Sequence, residues 1–425
     1  MTIILLIVML VCMVIGMPVA FSIAIGALIA LLSNGTVPLM VLPQKMVTGL
    51  DSFSLLAIPL FILAGELMNS GGLTKRLVNM AQAFVGHFRG SLAQVGILTN
   101  IFMSGVSGSG LADAAATGSI LIPEMKKRGY SKAFASAVMA ASGTIGPIIP
   151  PSIPLVLYAS IANVSIGTIF LGGVMPGILM GIGLMIITWF VAKKRNYEVS
   201  PRANFKQIVK ALYEGVPALL SPFIIVFGIV TGVFTATESA VIAVWFAVIV
   251  GFLVYKELTF KKLAECLKNA MMTTAIVALI IGLSAPFGWI MSWENVAHSL
   301  LTFLGSLANT PWLVELIIMG CILILGMFLD GTPIIILTTP ILLPLLNSMG
   351  VNLVHYGVML AVNTMIGSIT PPVGTLMYVT TRIAGCDIAE FTKEAWRYMV
   401  VLTVCLLLML FIPQIVLFLP GLFAK

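Results

Sequence analysis

Ser104, Ser107, Ser109 and Asp113 fall within one run of ten residues, SGVSGSGLAD (104–113), in a chain otherwise dominated by Leu, Ile, Val, Ala, Met and Phe. Hydroxyls, a carboxylate and main-chain carbonyls opened by glycine are the oxygen donors that take Na+ where membrane helices are interrupted. A second run, GMFLDGTP (326–333), supplies Gly326 and Asp330. An ionisable residue inside an apolar segment is functional by default. Two further runs, GTIGPIIPPS (143–152) and IGSITPPVG (366–374), pair glycine with tandem proline. Proline removes a donor and clashes with the preceding turn, so helices carrying these runs must unwind.

Two oxygen sets follow. Ser104, Ser107 and Ser109, with carbonyls near Gly108 and over Gly143–Ile145, form a candidate Na+ site. Gly326, Asp330, Thr364 and Gly367 form a second. Ser109, Asp113, Ser152 and Asp330 are candidate substrate contacts. Asp113 and Ser152 have another role open to them, since both residue types cap helix starts. Arg382 is better placed to snorkel toward an interface than to clamp a carboxylate. Glu66, Glu238 and Glu315 are either structural or line the site, and His87, His298 and His355 fall at loop ends with no assigned role.

The elements that hold these residues belong in a membrane. Of 425 residues, 60% are hydrophobic and 9% charged, against about 25% charged in soluble chains. Apolar segments recur end to end, which predicts an all-α polytopic membrane protein in a lipid bilayer. The first segment runs straight into more membrane chain, with no small-residue cleavage site, and is expected to be retained. Five scattered cysteines have no metal-ligand spacing and read as apolar filler. The net charge of +7 fits the positive-inside rule and calls for no nucleic acid.

An internal repeat organises the chain. TGSILIPEMKKRG (117–129) aligns without gaps on TTPILLPLLNSMG (338–350), an offset of 338 − 117 = 221. The same offset carries Gly105 onto Gly326, Ser109 onto Asp330, Gly146 onto Gly367 and Pro150–Pro151 onto Pro371–Pro372. Two units, 1–192 and 216–425, are therefore expected around a cytoplasmic linker, 193–215. Placing that basic linker inside puts 20 of the 22 Lys and Arg in the cytoplasm, with Lys45 and Lys425 outside. The units then insert in opposite senses as inverted repeats of five crossings each, with both termini outside. In the first unit two crossings come from 2–33, broken at GMP (16–18), a break that the offset places at 237–239. A hairpin is expected at about 91–125, with apolar arms of about 13–15 residues, short of the ~20 needed to span, and its counterpart at 311–347. They are therefore read as re-entrant. Interrupted helices follow at 133–163 and 354–384, and amphipathic stretches at 71–89 and 256–269 read as interfacial arms. Two tips and two interrupted helices meeting at mid-bilayer are the arrangement of an inverted-repeat secondary transporter.

The motifs LDSFSLLAIPLFILAGELMNSGG (50–72), SGVSGSGLADAAATG (104–118), GPIIPPS (146–152), FTATESA (234–240), GMFLDGTP (326–333) and IGSITPPVG (366–374) give the chain a resemblance, over nearly its whole length, to the large membrane subunit of tripartite ATP-independent periplasmic (TRAP) transporters. The resemblance implies an elevator-type, Na+-driven importer of organic acid anions in the bacterial inner membrane. It also implies two partners, a small four-helix membrane subunit and a periplasmic substrate-binding protein. Within the family the chain looks most like the sialic-acid members, with C4-dicarboxylates the broader substrate class.

Two other functions compete. GVSG (105–108) matches the G-x-S-G of intramembrane serine proteases, but that chemistry needs a histidine within about 3 Å of the serine, and none is expected at that depth. A self-sufficient dicarboxylate carrier, coupled to Na+ or to H+ through Asp330 or Asp113, would need no binding protein.

Overall fold

The computed structural model describes residues 1–197, 199–296, 298–300, 302 and 310–423. Lys425, expected outside the membrane, lies outside the described residues. Among the described residues all regular structure is helical. The chain opens with α1 (Thr2–Val14), α2 (Val19–Asn34), α3 (Val41–Leu50), α4 (Ala57–Ser70) and α5 (Leu73–Val85). Next come α6 (Ser91–Ser107), α7 (Gly110–Lys127), α8 (Lys132–Gly143), α9 (Ile153–Ala162) and α10 (Ile166–Lys194). The second half holds α11 (Phe205–Val230), α12 (Ala236–Ile249, prolonged by a π-helical turn to Val254) and α13 (Phe260–Trp293). It closes with α14 (Pro311–Gly326), α15 (Gly331–Ser348), α16 (Leu353–Ser368), α17 (Thr375–Ala384), α18 (Ile388–Phe411) and α19 (Gln414–Phe423). Among the described residues, seven helical segments are long and apolar enough to cross a membrane.

Helix starts follow local sequence. Ser109, Ser131, Ser152 and Ser165 each accept a backbone N–H at the head of α7, α8, α9 and α10. Asn204 with Gln207, and Thr235 with Glu238, close reciprocal caps on α11 and α12. Glu238 is thus a structural cap, its carboxylate 2.8 Å from the Thr235 N–H.

Several expectations change. The stretch 256–269 is no separate arm, because α13 runs unbroken for 34 residues. The arms of the first hairpin are longer than anticipated, at 17 and 18 residues for α6 and α7, and those of the second, α14 and α15, have 16 and 18. Polar Gln94, Thr99 and Asn100 are buried inside α6. Eighteen residues rise about 27 Å, so arm length alone does not exclude a crossing. Helix resumes at Phe205, which shortens the linker, and the turn before α12 falls at 231–235 rather than 237–239 because the Thr235 cap fixes it. α1, with 13 residues, rises only about 20 Å.

The largest apolar cluster joins both hairpins to α8, α9, α10, α16 and α18. A second gathers α4, α5, α11 and α12 around Leu67, Met80 and Ala218, and a third packs α1 and α2 on the end of α13. Where α10 meets the linker, Arg195 grips Glu394 of α18 with two bonds of 2.6 and 2.8 Å, and Arg397 adds a third at 3.0 Å. Tyr197 stacks on Tyr130 at 4.2 Å, and Ser200 bonds to Ser91 at 2.9 Å and Arg128 at 3.1 Å. Glu394→Ala leaves two guanidiniums without their acceptor. It is expected to cost about 1–3 kcal/mol, read as earlier thermal unfolding of the detergent-solubilised protein.

Candidate functional site

The first tip is a turn only glycine makes comfortably. Gly108 has φ +62°, and a Cβ there would run into the Pro151 carbonyl, so the tip lies against the gap between α8 and α9. In that gap Pro147, Pro150 and Pro151 have no N–H to continue a helix. Gly110 lies against the Gly143 carbonyl and Pro147, and Gly65 of α4 against the Ser107 backbone. These contacts bring the tip, Ser107–Gly110, against Gly143; Ser104 lies one turn back on α6 and Ile145 two residues beyond Gly143.

Their hydrogen bonds show what each has left to offer. Ser104 Oγ donates to the Ile101 carbonyl at 2.6 Å and keeps its lone pairs. Ser107 Oγ donates to Asp113 Oδ1 at 2.5 Å and accepts from Ser109 N at 3.1 Å. The Gly143 carbonyl accepts from Gly146 N, and that of Ile145 from Ile148 N and Ile149 N. Asp113 is fully buried, and its Oδ2 has no protein partner. This carboxylate lies behind the tip, bonded to Ser107, whereas the sequence offers it a substrate, a capping or a proton-coupling role. The pairing with Ser107, six residues away, gives no signal in the sequence.

The second tip repeats the arrangement. Gly326 and Gly367 meet backbone to backbone, so that a Cβ on Gly326 would sit 3.1 Å from the Gly367 Cα. Met327 accepts a bond of 3.1 Å from Val373 N, which ties the tip to the gap between α16 and α17. Thr364 Oγ1 donates to the Ala361 carbonyl at 2.9 Å and lies beside Gly331. Thr375 Oγ1 reaches Asp330 Oδ1 at 3.4 Å.

Between the tips is a cavity of about 360 Å³. Four helices begin at its wall: α7 at Gly110–Leu111, α9 at Ile153–Pro154, α15 at Thr332–Pro333 and α17 at Thr375–Leu376. Each start carries roughly half a positive charge and unpaired N–H groups, so the cavity favours an anion. α6, α8, α14 and α16 end at Ser107, Gly143, Gly326 and Ser368, each a member of an oxygen set or next to one in sequence. Of the predicted substrate contacts, Ser109 and Asp330 line the cavity. Asp113 and Ser152 do not; Ser152 Oγ accepts from Leu155 N and donates to the Pro147 carbonyl. Sequence reasoning missed the far wall, where α13 presents Thr273, Ile276, Val277 and Ile280. Such residues read as lipid-facing and give no warning. Glu315 is buried on α14, away from the cavity lining. Ser107 is spoken for by Asp113, and His355 Nε2 by the Met409 carbonyl at 2.9 Å.

The model of the DctM component of the tripartite ATP-independent periplasmic transporters matches residues 6–415. The chain is similar to the sialic acid TRAP transporter large permease protein SiaM of Vibrio cholerae, 40% identical over 403 residues, 95% of this chain and 94% of that one. It is also similar to the 2,3-diketo-L-gulonate TRAP transporter large permease protein YiaN of Escherichia coli, 37% identical over 376 residues, 88% of each. In fold it is similar to the crystal structure of the Alcanivorax borkumensis YdaH transporter, with TM-score 0.60, 13% identity and 86% of each chain covered. The two curated relatives are named permeases and the solved neighbour a transporter; none is named an enzyme. The chain belongs to the DctM family and is the large permease component of a tripartite transporter.

Proposed function

We propose that this chain imports an organic acid anion across the bacterial inner membrane by Na+-coupled symport, with sialic acid the favoured substrate and C4-dicarboxylates next. The observation that carries the proposal is the cavity ringed by four helix starts, with two oxygen sets behind it. The substrate carboxylate sits among the N–H ends, near Ser109 and Asp330. One Na+ sits behind the first tip, among Ser104, Ser107, Gly108, Ser109, Gly143 and Ile145, with Asp113 supplying charge. A second sits among Gly326, Asp330, Thr364 and Gly367. Cation and anion each lower the cost of burying the other, which couples their movement. Similarity to the sialic acid permease SiaM supports sialic acid.

The units 1–192 and 216–425 act as inverted repeats, with both termini periplasmic and both hairpins re-entrant. The site-bearing body moves as an elevator past α4, α11 and α13. A small four-helix membrane subunit and a periplasmic binding protein complete the transporter, as the tripartite family description supports. The test is reconstitution in liposomes, scanning sialic acid, succinate and malate under a Na+ gradient at fixed pH. Uptake is expected only with the small subunit and the loaded binding protein both present. Uptake by this chain alone would establish a self-sufficient carrier instead, and uptake driven by a pH gradient without Na+ would establish proton coupling.

A further inference from the structure

The short helix α17 has two faces. Leu376, Met377, Thr380, Thr381 and Ala384 are buried, and the helix packs on α7 and α8. The other face carries Thr375, Tyr378, Val379 and Arg382, spaced i, i+3, i+4 and i+7 along one side. Thr375 stands at the wall of the central cavity. Arg382 lies seven residues on, about 10 Å along the axis. Tyr378, Val379 and Arg382 line a separate, open surface cavity of about 520 Å³, bordered by Gly385, Cys386 and Asp387.

Arg382 is exposed and, among the described residues, makes no ion pair. Arg76, Arg128, Arg195 and Arg397 each hold a glutamate. Asp387 shares the cavity but stays beyond ion-pair distance. Nor is Arg382 needed to finish the helix, because Lys126 Nζ already donates to the Ala384 carbonyl at 3.1 Å. Lys126, Lys127 and Arg128 at the same end mark it as the cytoplasmic side. One continuous helix face therefore runs from the central cavity to an unpaired guanidinium, a planar fork suited to a carboxylate.

We propose that Arg382 forms an inner anion subsite, which takes the substrate carboxylate as it leaves the central cavity along the Thr375–Tyr378 face toward the cytoplasm; this depends on the anion import proposed above. An inner subsite is filled from inside, so its signature is inhibition by internal substrate. The experiment uses the full transporter in liposomes preloaded with unlabelled sialic acid, and follows uptake of labelled sialic acid delivered by the binding protein. Arg382→Gln is expected to raise the internal concentration that halves uptake by about tenfold, with the external half-saturation unchanged. Arg382→Lys keeps the charge without the fork and is expected to fall between the two. If R382Q retains the internal inhibition of the unaltered transporter, or if R382K behaves as R382Q does, the subsite is refuted and Arg382 only meets headgroups. Absence of uptake by the unaltered transporter would instead refute the anion import itself.

Discussion

Asp330→Asn is expected to lower Na+-driven uptake by about 100-fold and to raise the Na+ concentration needed for half-maximal uptake by at least about tenfold. Asp330 is the one carboxylate among the described residues lining the central cavity, and it stands at the cap position of α15. Asparagine caps a helix as well as aspartate does, so the change removes charge while leaving the turn in place. Hydrogen bonds to charged groups contribute about 1.5–3 kcal/mol each, and every 1.4 kcal/mol is about tenfold in affinity. Loss of one such contact to the cation, together with its coupled effect on the anion, reaches the stated size. Liposome uptake measured over a range of Na+ concentrations is the check. An unchanged Na+ dependence in D330N would remove Asp330 from the cation site, and uptake near the original rate would remove it from the mechanism.

The tips and gaps were legible because their residues conflict with their surroundings. Gly, Ser and tandem Pro inside an apolar chain have few uses other than interrupting a helix, and 107–110, 143–153, 326–331 and 368–375 are where helices end and begin again. What lay beyond reach was depth and direction. Lys261, Lys262 and Lys268 made the head of α13 look like an interfacial arm, yet charge pattern does not say where a helix bends. The helix continues straight into a wall of the cavity. The sequence likewise does not show what Gln94 and Asn100 meet inside α6. Their amide nitrogens find tertiary partners, Gln94 Nε2 in the Met185 carbonyl at 2.9 Å and Asn100 Nδ2 in Ser142 Oγ at 2.6 Å, while Gln94 Oε1 and Asn100 Oδ1 have no protein partner. A buried amide needs a partner rather than water, and that partner is distant in sequence. Ser152 and Asp113 carried the same ambiguity between cap and ligand. Only their neighbours separated them, because Ser152 spends its hydroxyl on α9 and the Pro147 carbonyl while Asp113 keeps one oxygen free.

Gly367→Ala tests the second tip without touching any oxygen donor. A Cβ at 367 would meet the Gly326 backbone, and main chain cannot rotate away as a side chain does. α14 and α16 must separate, at an overpacking cost of about 1–3 kcal/mol. A displacement of about 1 Å at a positioned site is enough to cost about 100-fold in rate. Uptake by G367A is therefore expected to fall to about 1% while the protein still inserts and unfolds at only a modestly lower temperature. Gly326→Ala meets the same crossing from the other helix at 3.1 Å rather than 2.5 Å and is expected to lower uptake strongly, though less than G367A. Gly320→Ala is the control, since it lies on the same α14 with nothing near its Cβ, and alanine is the better helix former by about 1 kcal/mol. Full uptake by G320A beside a collapse in G367A and a lesser loss in G326A would place the sensitivity at the crossing of tip and interrupted helix. Equal activity in all three would mean that the tip tolerates displacement, and a cation held by its carbonyls would then be untenable.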